Sequence, residues 1–108
     1  MKIVINAPRH YGEFFLTDKQ IQLMAKYGST KAQLYLASET MFPSWLYADL
    51  DRHDKILVRV VEETVDDKRS TLEIREIKGD CYYIEEYNGM ECIMTPEDIA
   101  KRWVIVQE

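Results

Sequence analysis

The side chains with the most chemical potential fall in three short stretches. Pro8-Arg9-His10-Tyr11-Gly12 follows an apolar run and precedes Thr17-Asp18-Lys19-Gln20, which reads as a helix start. Loops that lead into helix N-termini suit anions, because unpaired backbone amides point outward there. Arg9 could grip a phosphate or carboxylate with its planar fork and Tyr11 offers a stacking face, with Gly12 in the same loop. Arg52-His53-Asp54 is the second stretch. Arg52 could bind an anion that Asp54 orients, or Asp54 could simply cap a following helix. Arg9, Tyr11, Gly12, Arg52 and Asp54 are the candidate ligand-binding residues. A single glycine is no phosphate-binding fingerprint, and the loop also reads as an ordinary strand–helix connection whose aromatic residue plugs the core.

The third stretch is Tyr82 to Met94. Asn88-Gly89 supplies the two residues of positive φ that a type I′ turn demands, so a hairpin is expected. A two-residue loop sets the register: Tyr87 faces Met90, Glu86 faces Glu91, Glu85 faces Cys92 and Ile84 faces Ile93. Like charges directly opposite each other weaken a sheet by a few tenths of a kcal/mol or more. Glu86 and Glu91 therefore either await a cation or a basic partner side chain, share a proton, or splay into water beside a Lys or Arg. Glu86, Tyr87 and Glu91 are the candidate protein-interface residues. Cys81 would lie opposite Pro96, far from Cys92, which leaves no partner for an intrachain disulfide.

Other chemistries find less support. His10, His53 and two isolated cysteines lack metal-ligand spacing, so neither a metal nor another cofactor is expected. There is no Ser-His-Asp order with a nucleophile elbow. A hydrolase built on Glu86 or Asp54 is conceivable but stands alone, so an enzyme is the least favoured class. Residues 1–48 carry a net charge of +2 and residues 49–108 a net charge of −7, within a total of −5. That balance argues against direct nucleic-acid binding, which needs clustered Lys and Arg. Acids alternate with bases around Glu73, Arg75, Glu76 and Lys78, which also disfavours DNA mimicry.

These side chains must be held by a scaffold. The length of 108 residues suits one domain, and the hydrophobic fraction of 46% suits a folded one. No apolar run is long enough to span a bilayer, and the N-terminus is too short in apolar residues for a signal peptide, so the cytosol is the expected address. Residues 2–6 alternate as a strand. Thr17 and Gln20 form a capping box for a helix that Gly28 ends. Residues 31–48 are hard to assign: 34–37 could be a short strand or helix, and 41–46 an aromatic loop over the core. Residues 55–64 fit a helix capped by Asp54, although Ile56, Val58 and Val60 also alternate as a strand would. Val65 to Ser70 reads as a turn and Thr71 to Lys78 as a strand. Thr95-Pro96-Glu97-Asp98 starts a helix, and Trp103 to Val106 could form a last strand. The expected fold is α+β: one domain with a mostly antiparallel sheet and two or three helices packed on it.

Several stretches, in order, resemble a family of small uncharacterised proteins encoded by phages and prophages. They are Ile3-Val4-Ile5-Asn6, Tyr11-Gly12-Glu13-Phe14, Leu16-Thr17, Arg52-His53-Asp54, Leu57-Val58, Val60-Val61-Glu62, Leu72-Glu73-Ile74, Glu76-Ile77 and Ile84 to Ile93. The likeness covers most of the chain except residues 31–48. Glu13 stands where the family has a second glycine, and Lys55 where it has proline after the aspartate; Pro8-Arg9-His10 is an insertion. The resemblance implies a phage context, with the host cytoplasm as location and helix for residues 55–64. Two functions follow as expectations. One is an anti-defence protein that sequesters a small nucleotide-derived signal, in a pocket that a homo-oligomer could complete. The other is an inhibitor that binds a host defence enzyme, such as a CRISPR or restriction nuclease, through the acidic C-terminal half.

Overall fold

Three consecutive β-branched residues follow Met1 and Lys2, and all are buried: Ile3, Val4 and Ile5 are at most 1% exposed. A strand that hides both faces must lie between two layers. In the computed structural model, which describes residues 1–7, 12–101 and 106, this strand is β1 (Lys2–Asn6). It pairs antiparallel with β2 (Leu72–Glu76), from Lys2 opposite Glu76 to Asn6 opposite Leu72. Val4 and Leu72 face a helical layer; Ile5 faces the other way and shares a crevice with Ile93 of a hairpin.

The helical layer is built from locally signed segments. Helix α1 (Asp18–Lys26) has the full capping box, with the Gln20 amide donating to the Thr17 hydroxyl and the Thr17 amide to the Gln20 side chain. Helix α2 (Thr30–Ala37) is capped by Ser29, and α3 (Pro43–Tyr47) starts with proline in its first turn. Helix α4 (Lys55–Glu63) buries Leu57, Val58, Val60 and Val61, a spacing only a helix can bring to one face. Burying each such side chain stabilises the fold by roughly 1.5–3 kcal/mol, against about 1 kcal/mol for the Asp54 cap. Packing therefore settles residues 55–63 as helix, where periodicity left a choice.

The second sheet is the hairpin of β3 (Tyr83–Tyr87) and β4 (Met90–Met94), in the register set by Asn88-Gly89. Both turn residues have positive φ, +52° at Asn88 and +87° at Gly89. Helix α5 (Pro96–Lys101) follows, with the Thr95 hydroxyl and the Asp98 carboxylate bonded to each other's cap groups.

The fold is α+β as expected, with two differences of detail. The strands form two separate two-stranded antiparallel sheets, and five helices appear among the described residues. The additional helices are α2 and α3, in the region hardest to assign: residues 34–37 are helical, and the aromatic stretch 41–46 enters a short helix that buries Leu46. The strand expected over Trp103 to Val106 lies, in residues 103–105, outside the described residues. Among the described residues, no helix is long and apolar enough to cross a membrane.

Candidate functional site

The site grows from the free edge of β1. The odd-numbered residues turn to β2, as the Ala7 amide does in donating to the Thr71 carbonyl at 3.0 Å. Val4 and Asn6 turn their amides to the other side, where no strand pairs with β1 among the described residues. An unpaired amide in a buried strand is costly, so something else must accept. The Arg52 carbonyl takes the Val4 amide at 2.8 Å, and a Glu91 carboxylate oxygen takes the Asn6 amide at 2.7 Å. Arg52 completes the replacement by donating from Nη1 to the Val4 carbonyl at 3.3 Å.

Arg52 and Glu91 also grip each other. Nη1 and Nη2 of Arg52 reach the two carboxylate oxygens of Glu91 at 2.6 and 2.8 Å, a two-point pairing. The guanidinium lies 3.8 Å from the centroid of the Phe14 ring. The side chains are only 19% and 7% exposed. The opposed carboxylates of the hairpin are thus reconciled from within the chain. Glu91 turns inward to Arg52, while Glu86 remains exposed and accepts from the Gly89 amide at 2.7 Å.

Asn6 ties the hairpin to this edge. Its Nδ2 donates to the carbonyls of Gly12 at 2.8 Å and Gly89 at 2.6 Å, and its Oδ1 accepts from the Thr71 hydroxyl. The two glycines approach so closely that a Cβ on Gly89 would stand 1.8 Å from the Gly12 carbonyl oxygen. Gly89 therefore serves twice, in the turn and in this contact. No buried side-chain nitrogen or oxygen lacks a hydrogen-bond partner among the described residues.

Beside the ion pair opens a cleft of about 550 Å³, lined among others by Glu13, Phe14, Tyr47, Ile84 and Glu86. The Tyr47 hydroxyl accepts from the Leu16 amide at 3.0 Å, and burial pushes its pKa above the ordinary value. Because Glu91 already neutralises Arg52, the carboxylates of Glu13 and Glu86 set the character of the cleft mouth. It suits a cationic group better than a phosphate.

The expected site residues are distributed as follows. Arg52 and Glu91 meet in the interior, one from each proposed function, and Glu91 at 5% exposure is not a surface carboxylate. Gly12 contributes its carbonyl to Asn6. Asp54 turns away and caps α4 through the Leu57 amide at 2.9 Å, and His53 bonds the Tyr82 hydroxyl at 2.8 Å. Tyr87 stands at the hairpin end, 73% exposed. Arg9 and Tyr11 lie outside the described residues. Asn6, Phe14 and Thr71 were not singled out by sequence; the available signal was one amide side chain ending an otherwise β-branched run. No group of three His, Cys, Asp or Glu side chains that could hold a metal occurs among the described residues, and both cysteines are free and exposed. No family model, no curated protein and no solved structure matches the chain.

Proposed function

We propose that this is a phage accessory protein that acts in the host cytoplasm by binding a basic surface of a host defence enzyme through its hairpin. The observation that carries the reading is the two-point capture of Arg52 by Glu91. It removes the guanidinium expected to hold a phosphate, and it leaves the exposed side chains Tyr83, Glu86 and Tyr87 as accessible chemistry of the hairpin. Aromatic and acidic groups presented together suit a protein partner rich in Arg and Lys, where aromatic residues bury area and carboxylates steer the encounter. The phage context comes from the resemblance of the sequence stretches described above.

The test uses purified protein against a panel of purified restriction and CRISPR nucleases. Inhibition is expected, and Tyr87→Ala should remove it while the melting temperature stays unchanged. The competing reading, capture of a nucleotide-derived signal, is tested on the same sample with a panel of cyclic nucleotides. A thermal upshift there, with no nuclease inhibited, would overturn the proposal.

A further inference from the structure

Three observations coincide on one side of the hairpin. The first is a strand edge left open among the described residues, where β3 pairs with β4 alone. A two-residue type I′ turn closes on a hydrogen-bonded pair, here Tyr87 and Met90, so Tyr83, Glu85 and Tyr87 turn their backbone groups toward β4. Ile84 and Glu86 turn theirs outward, and no backbone group among the described residues bonds to them across that edge. The second is the cleft. The side chains of Ile84 and Glu86 line it together with Phe14 and Tyr47. The third is charge. With Arg52 paired to Glu91, the exposed carboxylates of Glu13 and Glu86 dominate the mouth.

We propose that the open edge of β3 takes an extended, Lys- or Arg-alternating segment of a partner protein as a third strand. Main-chain hydrogen bonds to Ile84 and Glu86 hold the segment, and its side chains decide specificity. Successive side chains of a strand alternate between faces, so every second one is lowered toward the side occupied by Ile84 and Glu86. A Lys or Arg there places its apolar stem against Phe14 and Tyr47 and its charge beside Glu13 and Glu86. A second copy of this chain is the wrong occupant. Two β3 edges laid together would bring Glu85 and Glu86 of both copies into one ladder, where like charges oppose pairing. The inference rests on the protein-binding function and specifies how the partner is held.

The experiment titrates the intact, isotope-labelled protein with a short synthetic peptide alternating lysine and valine, and with its glutamate–valine counterpart. Hydrogen exchange is read at each amide. The lysine peptide should slow exchange at Ile84 and Glu86 and leave α1 and α4 unchanged; the glutamate peptide should do neither. Glu13→Lys combined with Glu86→Gln should weaken binding about tenfold or more, and the glutamine keeps an acceptor for the Gly89 amide. Ile84→Pro should abolish binding, since proline removes the outward donor yet is tolerated on an edge strand; a thermal melt checks that the variant is folded. Lysine-peptide binding without protection of the Ile84 and Glu86 amides would overturn the proposal. So would a dimer in light scattering that Ile84→Pro dissolves. The two ideas separate cleanly: peptide protection with no nuclease inhibited keeps the edge and removes the host-enzyme function, whereas nuclease inhibition that survives Ile84→Pro does the reverse.

Discussion

Arg52 and Glu91 each answer a need of the other and of β1. The carboxylate covers the Asn6 amide, the guanidinium covers the Val4 carbonyl, and the two charges cancel. Removing one partner leaves a buried charge and an unpaired strand edge. Arg52→Ala or Glu91→Ala should each cost roughly 3–5 kcal/mol, the range for breaking a buried pair. The double variant should cost much less than the sum of the two, which urea denaturation in a double-mutant cycle would measure. An additive cycle would mean that the pair is not coupled. By contrast, the i,i+4 pairs Arg59–Glu63 and Lys101–Glu97 are exposed, and such pairs contribute about 1 kcal/mol or less.

Among elements, α4 separates local from tertiary causes most clearly. Asp54 contributes one cap hydrogen bond, so Asp54→Ala should lower stability by about 1 kcal/mol and leave partner or ligand binding unchanged. A loss of binding at full stability would instead restore the orienting role that Arg52-His53-Asp54 suggested. The turn after α4 carries a pH signal. The Arg69 amide, then the Thr17 hydroxyl, holds the Asp67 carboxyl below its ordinary pKa. A lowered folded pKa means that the unfolded chain takes up the proton first. Its stabilising contribution is therefore present above the ordinary carboxylate pKa of 3.8 and fades as pH falls through the lower folded value. Asp67→Asn should flatten the dependence of stability on pH in that acid window, as read from thermal melts between neutral pH and pH ~3.

At the scale of the molecule, the hairpin is a separate two-stranded sheet, and such a unit is marginal by itself. Asn6 fastens it, with one amide group reaching the loop at Gly12 and the turn at Gly89. Asn6→Ala should let β3 and β4 open independently of the helical layer. Native-state hydrogen exchange would then show hairpin amides exchanging faster while those of α1 and α4 keep their protection. Uniform acceleration throughout would mean that the hairpin and the helices unfold as one. The proposed partner binding belongs to this scale too, because a face that the Asn6 side chain helps to hold should lose affinity when Asn6 is replaced.

The chain's own letters determined three features whose signals lie close together in sequence. The capping box of Thr17 and Gln20, the cap at Asp54 and the turn at Asn88-Gly89 each act within about one helical turn or one β-turn, so local geometry is enough. That is why the hairpin register could be read before any coordinates, and why the opposed carboxylates could be noticed. Residues 34–46 were different, since their apolar side chains follow no single period and their helices depend on neighbours. Asn6, Gly12, Arg52, Gly89 and Glu91 meet in the folded chain, but their order along the sequence could not say how. Only the tertiary structure decided that Glu91 would find Arg52, 39 residues away, and that Asn6 would reach Gly89 across 83. Such partners are chosen by which buried groups would otherwise go unpaired, and that depends on which strand edge the folded chain leaves open.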